Sequence, residues 1–174
     1  MTENKPPEPW LRGTLTDVLP VQRAVLHALE LANEDLDRWC AGLTDEELNS
    51  RPASIVSVAC HLRHISRSID RLLTYAEGRQ LSSEQAAALK SELDSQATRS
   101  ELFAELADAL ERAATRIRAF APNQIDEPRT VGIKKLPTTV AGLLVHVADH
   151  TQRHIGQAVT TSKLILAQRV ADSL

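Results

Sequence analysis

The stretch His146-Val-Ala-Asp149-His150-Thr-Gln-Arg153-His154-Ile-Gly-Gln157 holds three of the chain's six histidines. Residues four apart on a helix share a face, with Cβ atoms about 5–6 Å apart. His150 and His154 can therefore present two imidazoles to one ion. Upstream, Val140, Leu143 and Val147 take the same face at the spacing of a buried stripe, and the two histidines continue it where a plain bundle would place Leu or Ile. Imidazoles directed at a core need partners, because burying an unpaired polar group costs on the order of a few kcal/mol. A metal ion is one such partner.

Working outward from that stretch, Thr138 or Thr139 is placed to cap a long helix that runs through the histidines to about Ala167 or beyond. Three further long amphipathic helices precede it. The first starts at Pro20, a residue suited to the first helical position, and runs to about Ala41, where Gly42 stops it. The second spans about Ile55 to Ala76 on a stripe of Val58, Leu62, Ile65, Ile69, Leu72 and Leu73. The third runs from a capping box at Thr98 and Glu101 to about Phe120. Short helical turns follow Thr44 and Ser82. Pro122, Pro128, Gly132 and Pro137 break the chain before the last helix; Val131 and Ile133 suit a short extended piece, and no sheet is predicted. The pattern predicts an all-α four-helix bundle with short extra helices in its connections. Residues 1–13, with three prolines, read as a flexible arm, and residues 14–174 as one domain.

Composition narrows the function. The net charge is −3 and aromatic residues are 3% of the chain. Neither a basic face nor stacking platforms are legible, so nucleic acid is not an expected partner. No apolar run reaches the roughly 18 residues of a membrane span, and MTENKPPEPW has no basic stretch leading into an apolar one, so a membrane association or secretory signal is not expected. Cys40 and Cys60 form no CxxC pair and read as packing residues of a cytoplasmic protein. There is no glycine-rich phosphate loop and no GxSxG elbow. Trp10 and Trp39 read as packing anchors.

Two histidines do not complete a metal site, since zinc-like ions take at least three protein ligands. Ser57-Val-Ala-Cys-His61-Leu-Arg-His64-Ile-Ser-Arg-Ser68 on the second helix offers His61 and His64 beside the apolar stripe. Helical geometry puts His61 nearer the core centre and does not select His64. His146 reads as a neighbour of the site and His27 as an ordinary helix residue. Arg63, Arg67 and Arg71 recur every four residues and read as a solvated face with Asp70 as ion partner; holding an anionic thiol cofactor is the alternative.

Two motifs carry a family resemblance. A small residue followed seven positions later by a histidine and an apolar residue is met by Ser57-Val58 and His64-Ile65. The late pattern of His, an acid, His, three residues, His and then Gly-Gln is met by His146, Asp149, His150, His154, Gly156 and Gln157. In both, the chain resembles the DinB/YfiT-like superfamily over about 120 residues. Many relatives carry arginine before the Gly-Gln pair where this chain has Ile155, a departure that bears on the mouth of the site. The resemblance implies a metal triad of His64, His150 and His154, a divalent ion such as zinc or nickel with an open position for water or thiolate, and a homodimer. Characterised relatives include transferases and isomerases that use low-molecular-weight thiols. The expected function is thus a metal-dependent transferase that activates a small thiol toward a small-molecule substrate. The alternatives are a hydrolase working through metal-bound hydroxide, for which Asp149 is poorly placed, and a non-enzymatic dimeric metal-binding protein. Asp149, Gln157 and Ser68 are candidates to orient the ligand rings from behind.

Overall fold

A computed structural model describes residues 6–92 and 96–171 of the chain. The four long helices are α1 (Pro20–Trp39), α3 (Val58–Ala76), α5 (Arg99–Arg118) and α6 (Val140–Ala171). Two short ones, α2 (Asp45–Asn49) and α4 (Ser83–Lys90), lie in the connections. The protein is an all-α bundle of the expected kind.

Side-chain caps decide where the helices begin. Thr44, Ser57, Ser82 and Thr98 each accept a hydrogen bond from the backbone N–H three residues on, satisfying donors that the first turn leaves free. Thr139 does the same for α6 through the N–H of Gly142, at 3.1 Å. The second long helix starts at Val58 rather than Ile55, because Pro52–Ser54 forms a 3-10 turn in which Ala53 and Ser54 adopt positive φ. α1 begins without a conventional cap. Instead the buried Gln22 accepts from the N–H of Leu19 at 2.9 Å and donates to the carbonyls of Ile117 and Phe120 at 2.7 and 2.9 Å. One amide thereby ties the start of α1 to the end of α5.

α3 packs chiefly on α6 and α5, and α6 also packs on α1. The core between them is built from Val25, Leu29 and Leu36 of α1, Leu62, Ile65, Ile69 and Leu73 of α3, Leu102, Leu106 and Ile117 of α5, and Leu144, Val147, Ile155 and Ala158 of α6, all buried.

A two-stranded sheet stands where none is predicted from the sequence. Pro128–Val131 (β1) pairs antiparallel with Leu136–Thr139 (β2), and Val131 faces Leu136 across the ladder. The turn between them holds Gly132 at φ +70° and Lys135 at φ +49°, closed by Lys135 N–H donating to the Gly132 carbonyl at 3.0 Å. Pro128 and Pro137, taken as breakers, are tolerated because a two-stranded ribbon is all edge and leaves positions where no N–H is needed.

At the N-terminus, Pro9–Leu11 forms one 3-10 turn and Arg12 makes a two-pronged ion pair with Glu34 of α1, at 2.6 and 2.9 Å. Residues 1–5 of the expected arm lie outside the described residues. Trp10 is no packing anchor: it is exposed and its indole N–H donates to Glu8 at 2.8 Å. Trp39 is partly buried beneath the Lys163 ammonium, which lies 4.1 Å from the ring centre.

Candidate metal centre

Ser57 caps α3, which places His61 in its first turn and His64 in the next. α6 passes alongside and presents His150 and His154 one turn apart. His64, His150 and His154 converge, with one ring nitrogen from each within 4.8 Å of the others. The Nε2 atoms of His64 and His150 are 2.8 Å apart. All three rings are half-buried, so they sit at the rim of the core. The fully buried side of α6 runs through Leu144, Val147, Thr151, Ile155 and Ala158, and the histidines flank that line.

The remaining histidines separate by position. His61 is buried, as helical geometry suggested, and its Nδ1 lies 3.3 Å from Nδ1 of His154. It adjoins the cluster without entering it. His146 is exposed, with its ring centre 5.4 Å from that of His150 and its Nδ1 3.7 Å from Asp149. His27 is buried elsewhere in the bundle and bonds Thr14 at 3.1 Å.

Burial, reinforced by the neighbouring rings of His154 and His64, pushes His61 down to about 4. Burial also takes His150 down to about 4, with His154 and His64 as the next contributors. His154 is lowered by burial and by His64 and Arg153, against an opposing hydrogen bond from Gln157. These rings are neutral near pH 7 and offer lone pairs, the form in which histidine binds metal.

The groups behind the ligands differ from those expected, apart from Gln157. Ser68 turns to the Ile65 carbonyl at 3.1 Å. Asp149 faces outward to Arg153 at 2.7 Å. The carboxylate that does reach a cluster ring is Glu92, whose Oε2 lies 2.7 Å from Nδ1 of His64. It follows α4, in a segment with no motif, so spacing gave no signal for it. The arginine ladder on α3 is not a solvated face. Arg63 and Arg67 pair with Glu105 at 3.2 and 3.1 Å, and the buried Arg71 pairs with Glu92. Asp70 is taken by Arg116 of α5 at 2.7 Å. Ile155 is buried in the core, so the departure from the arginine of many relatives does not place its side chain at the mouth of the site.

Beside the cluster a pocket of about 330 Å³ is lined by Ile55, Val56, His61, Arg153, Gln157 and Thr160, among others. His61 lines the pocket and adjoins the cluster through its contact with His154. The donor set fits a metal: three rings from two helices each bring a ring nitrogen to one place, and an imidazole nitrogen without hydrogen carries a lone pair. A shared cation meets several lone pairs at once.

The sequence pattern of the DinB superfamily matches residues 28–158, more than half of the chain. The chain belongs to the DinB superfamily. This DinB chain is also similar in structure to a conserved protein from Enterococcus faecalis, solved by crystallography, with a TM-score of 0.70 at 20% identity over 86% of this chain and 99% of that one. At that identity the likeness shows the fold alone. No protein of curated function matches. For a DinB chain, the three-histidine group on α3 and α6 is one that could hold a metal ion.

Proposed function

We propose that the protein is a divalent-metal-dependent transferase that activates a small thiol for attack on an electrophilic small molecule. His64, His150 and His154 would hold the ion, zinc or nickel. The observation that carries this reading is the convergence of three imidazoles within 4.8 Å at a half-exposed rim. Three protein ligands with solvent access are the pattern of catalytic rather than structural sites. When bound, such an ion supplies Lewis acidity that makes a thiol a nucleophile at neutral pH.

The chain's own residues do the rest. Burial keeps His150 and His154 neutral, so their lone pairs are available. The pocket beside His61 supplies apolar surface from Ile55 and Val56 and polar groups from Gln157 and Thr160 for the reacting molecules. In the transfer, the thiol proton passes to solvent, sulfur bonds the electrophilic carbon, and the leaving group departs with its electron pair. Thiol transfer is favoured over hydrolysis by the carboxylates: Asp149 is turned to Arg153, and Glu92 lies behind His64 paired with Arg71. Neither is free to act as general base toward water. The same reading carries a homodimer, a cytoplasmic setting, and residues 14–174 as one domain behind an arm of residues 1–13. Among the described residues no helix is long and apolar enough to cross a membrane.

The test is conjugation of a panel of low-molecular-weight thiols to chlorodinitrobenzene by zinc- or nickel-loaded protein. Saturable thioether formation that is lost in His154→Ala is expected. Rates equal to that variant's, or turnover of ester and amide panels instead, would contradict the proposal.

A further inference from the structure

Both ring nitrogens of His64 are engaged. Nε2 faces His150 at 2.8 Å, and Nδ1 faces the Glu92 carboxylate at 2.7 Å. A carboxylate oxygen accepts and does not donate, so the second contact requires hydrogen on Nδ1. In a neutral imidazole that leaves the lone pair on Nε2, the nitrogen aimed at the cluster. Without such a partner both tautomers of a neutral histidine are open to the ring.

Glu92 is not placed there by chance packing. It is 3% exposed, and its other oxygen accepts from the buried Arg71. It follows α4, a helix with no buried residue of its own, so apolar burial does not hold that segment. Polar ties do. Gln85 donates to Asp70 at 2.5 Å and to Thr74 at 2.9 Å, and Arg67 donates to the Ala88 carbonyl at 3.0 Å. With Arg71, these α3 groups fasten α4 along its length and deliver one carboxylate to the back of His64.

We propose that Glu92, anchored by Arg71, is a positioning residue that fixes the tautomer and aim of His64 and thereby sets metal affinity, making the α4 segment a working part of the metal centre. The affinity part of the proposal rests on the metal reading above; the tautomer part does not. Carboxylates that orient ligand histidines from behind are worth about 10–100-fold in metal affinity where they have been removed.

The test uses nitrogen-15 histidine spectra of the full chain, metal-free, near pH 8, above the ordinary pKa of an exposed histidine. The parent is expected to show His64 protonated on Nδ1, and Glu92→Ala to shift it toward the Nε2 tautomer. Chelator competition with zinc should then show affinity weakened about 10–100-fold in Glu92→Ala and less in Glu92→Gln, which keeps an acceptor oxygen. A purely structural role would lower the melting temperature of the metal-free variants while leaving tautomer and affinity unchanged. That result, or a parent His64 protonated on Nε2, overturns the proposal. A parent that takes up no zinc defeats the metal reading and the affinity claim with it, and the spectra still decide whether Glu92 sets the ring.

Discussion

His64 on α3 and His150 on α6 meet nitrogen to nitrogen at 2.8 Å across the interface between the two helices. They are 86 residues apart in the chain, so the pair exists only when the bundle is packed. A ligand that needs both binds the folded state and not the unfolded one. Its binding energy is then added to folding stability.

Metal should therefore raise thermal stability. At an ion concentration about 100 times its dissociation constant the gain is about 2.7 kcal/mol. For a chain of this size that is a rise in melting temperature of roughly 5–10 °C. Differential scanning calorimetry with and without zinc checks this, and His150→Ala should show no rise.

Metal-free stability should depend on pH in one direction. His61 and His150 are held near 4 in the folded protein, below the ordinary 6.5 of an exposed histidine. Between those values the unfolded chain binds more protons than the folded one, so stability rises with pH across that window. The contribution is complete above about 6.5 and is lost as pH falls toward about 4. Chemical denaturation at a series of pH values tests this. The slope between those limits should flatten in His61→Gln, and a slope equal to the parent's would count against burial as the cause.

Gln22 should matter more than a surface glutamine. Its amide serves the part-buried Leu19 N–H and the carbonyls of Ile117 and Phe120, and Gln22→Ala removes all three of those bonds. A loss of about 1–3 kcal/mol is expected from urea denaturation. A change within about 0.5 kcal/mol, as for an ordinary surface site, would show that water replaces the amide.

Core packing and the metal centre should separate. Leu73 is fully buried, more than two turns of α3 beyond His64. Leu73→Ala should cost about 2–5 kcal/mol of stability. Zinc affinity measured well below the melting transition should remain that of the parent.

The long helices were legible because their signals are local: apolar spacing along each helix, and, for α5 and α6, a Thr three residues before a free N–H. His150 and His154 were legible for the same reason, being one turn apart on one helix. His64 was not separable from His61 by periodicity, since both border the same stripe. The choice depends on how α6 lies against α3, and the family motif supplied it. Glu92 left no trace in the sequence, because its position follows from ties between α4 and α3 that no spacing encodes. The arginines of α3 were misread for a related reason. A charged residue every four positions suits water as well as it suits a row of carboxylates on neighbouring segments, and Glu105 and Glu92 are remote in sequence. The hairpin was missed because its prolines looked like breakers, whereas in a two-stranded ribbon they fall on open edges.

The most direct measurement is the metal content of untagged protein, by elemental analysis, beside the variants His64→Ala and His150→Ala. One divalent ion per chain in the parent, absent from both variants while their helical content is retained, is the result predicted for a centre shared between α3 and α6. No ion in the parent after reconstitution with zinc or nickel, or an ion retained when His64 is removed, would contradict it.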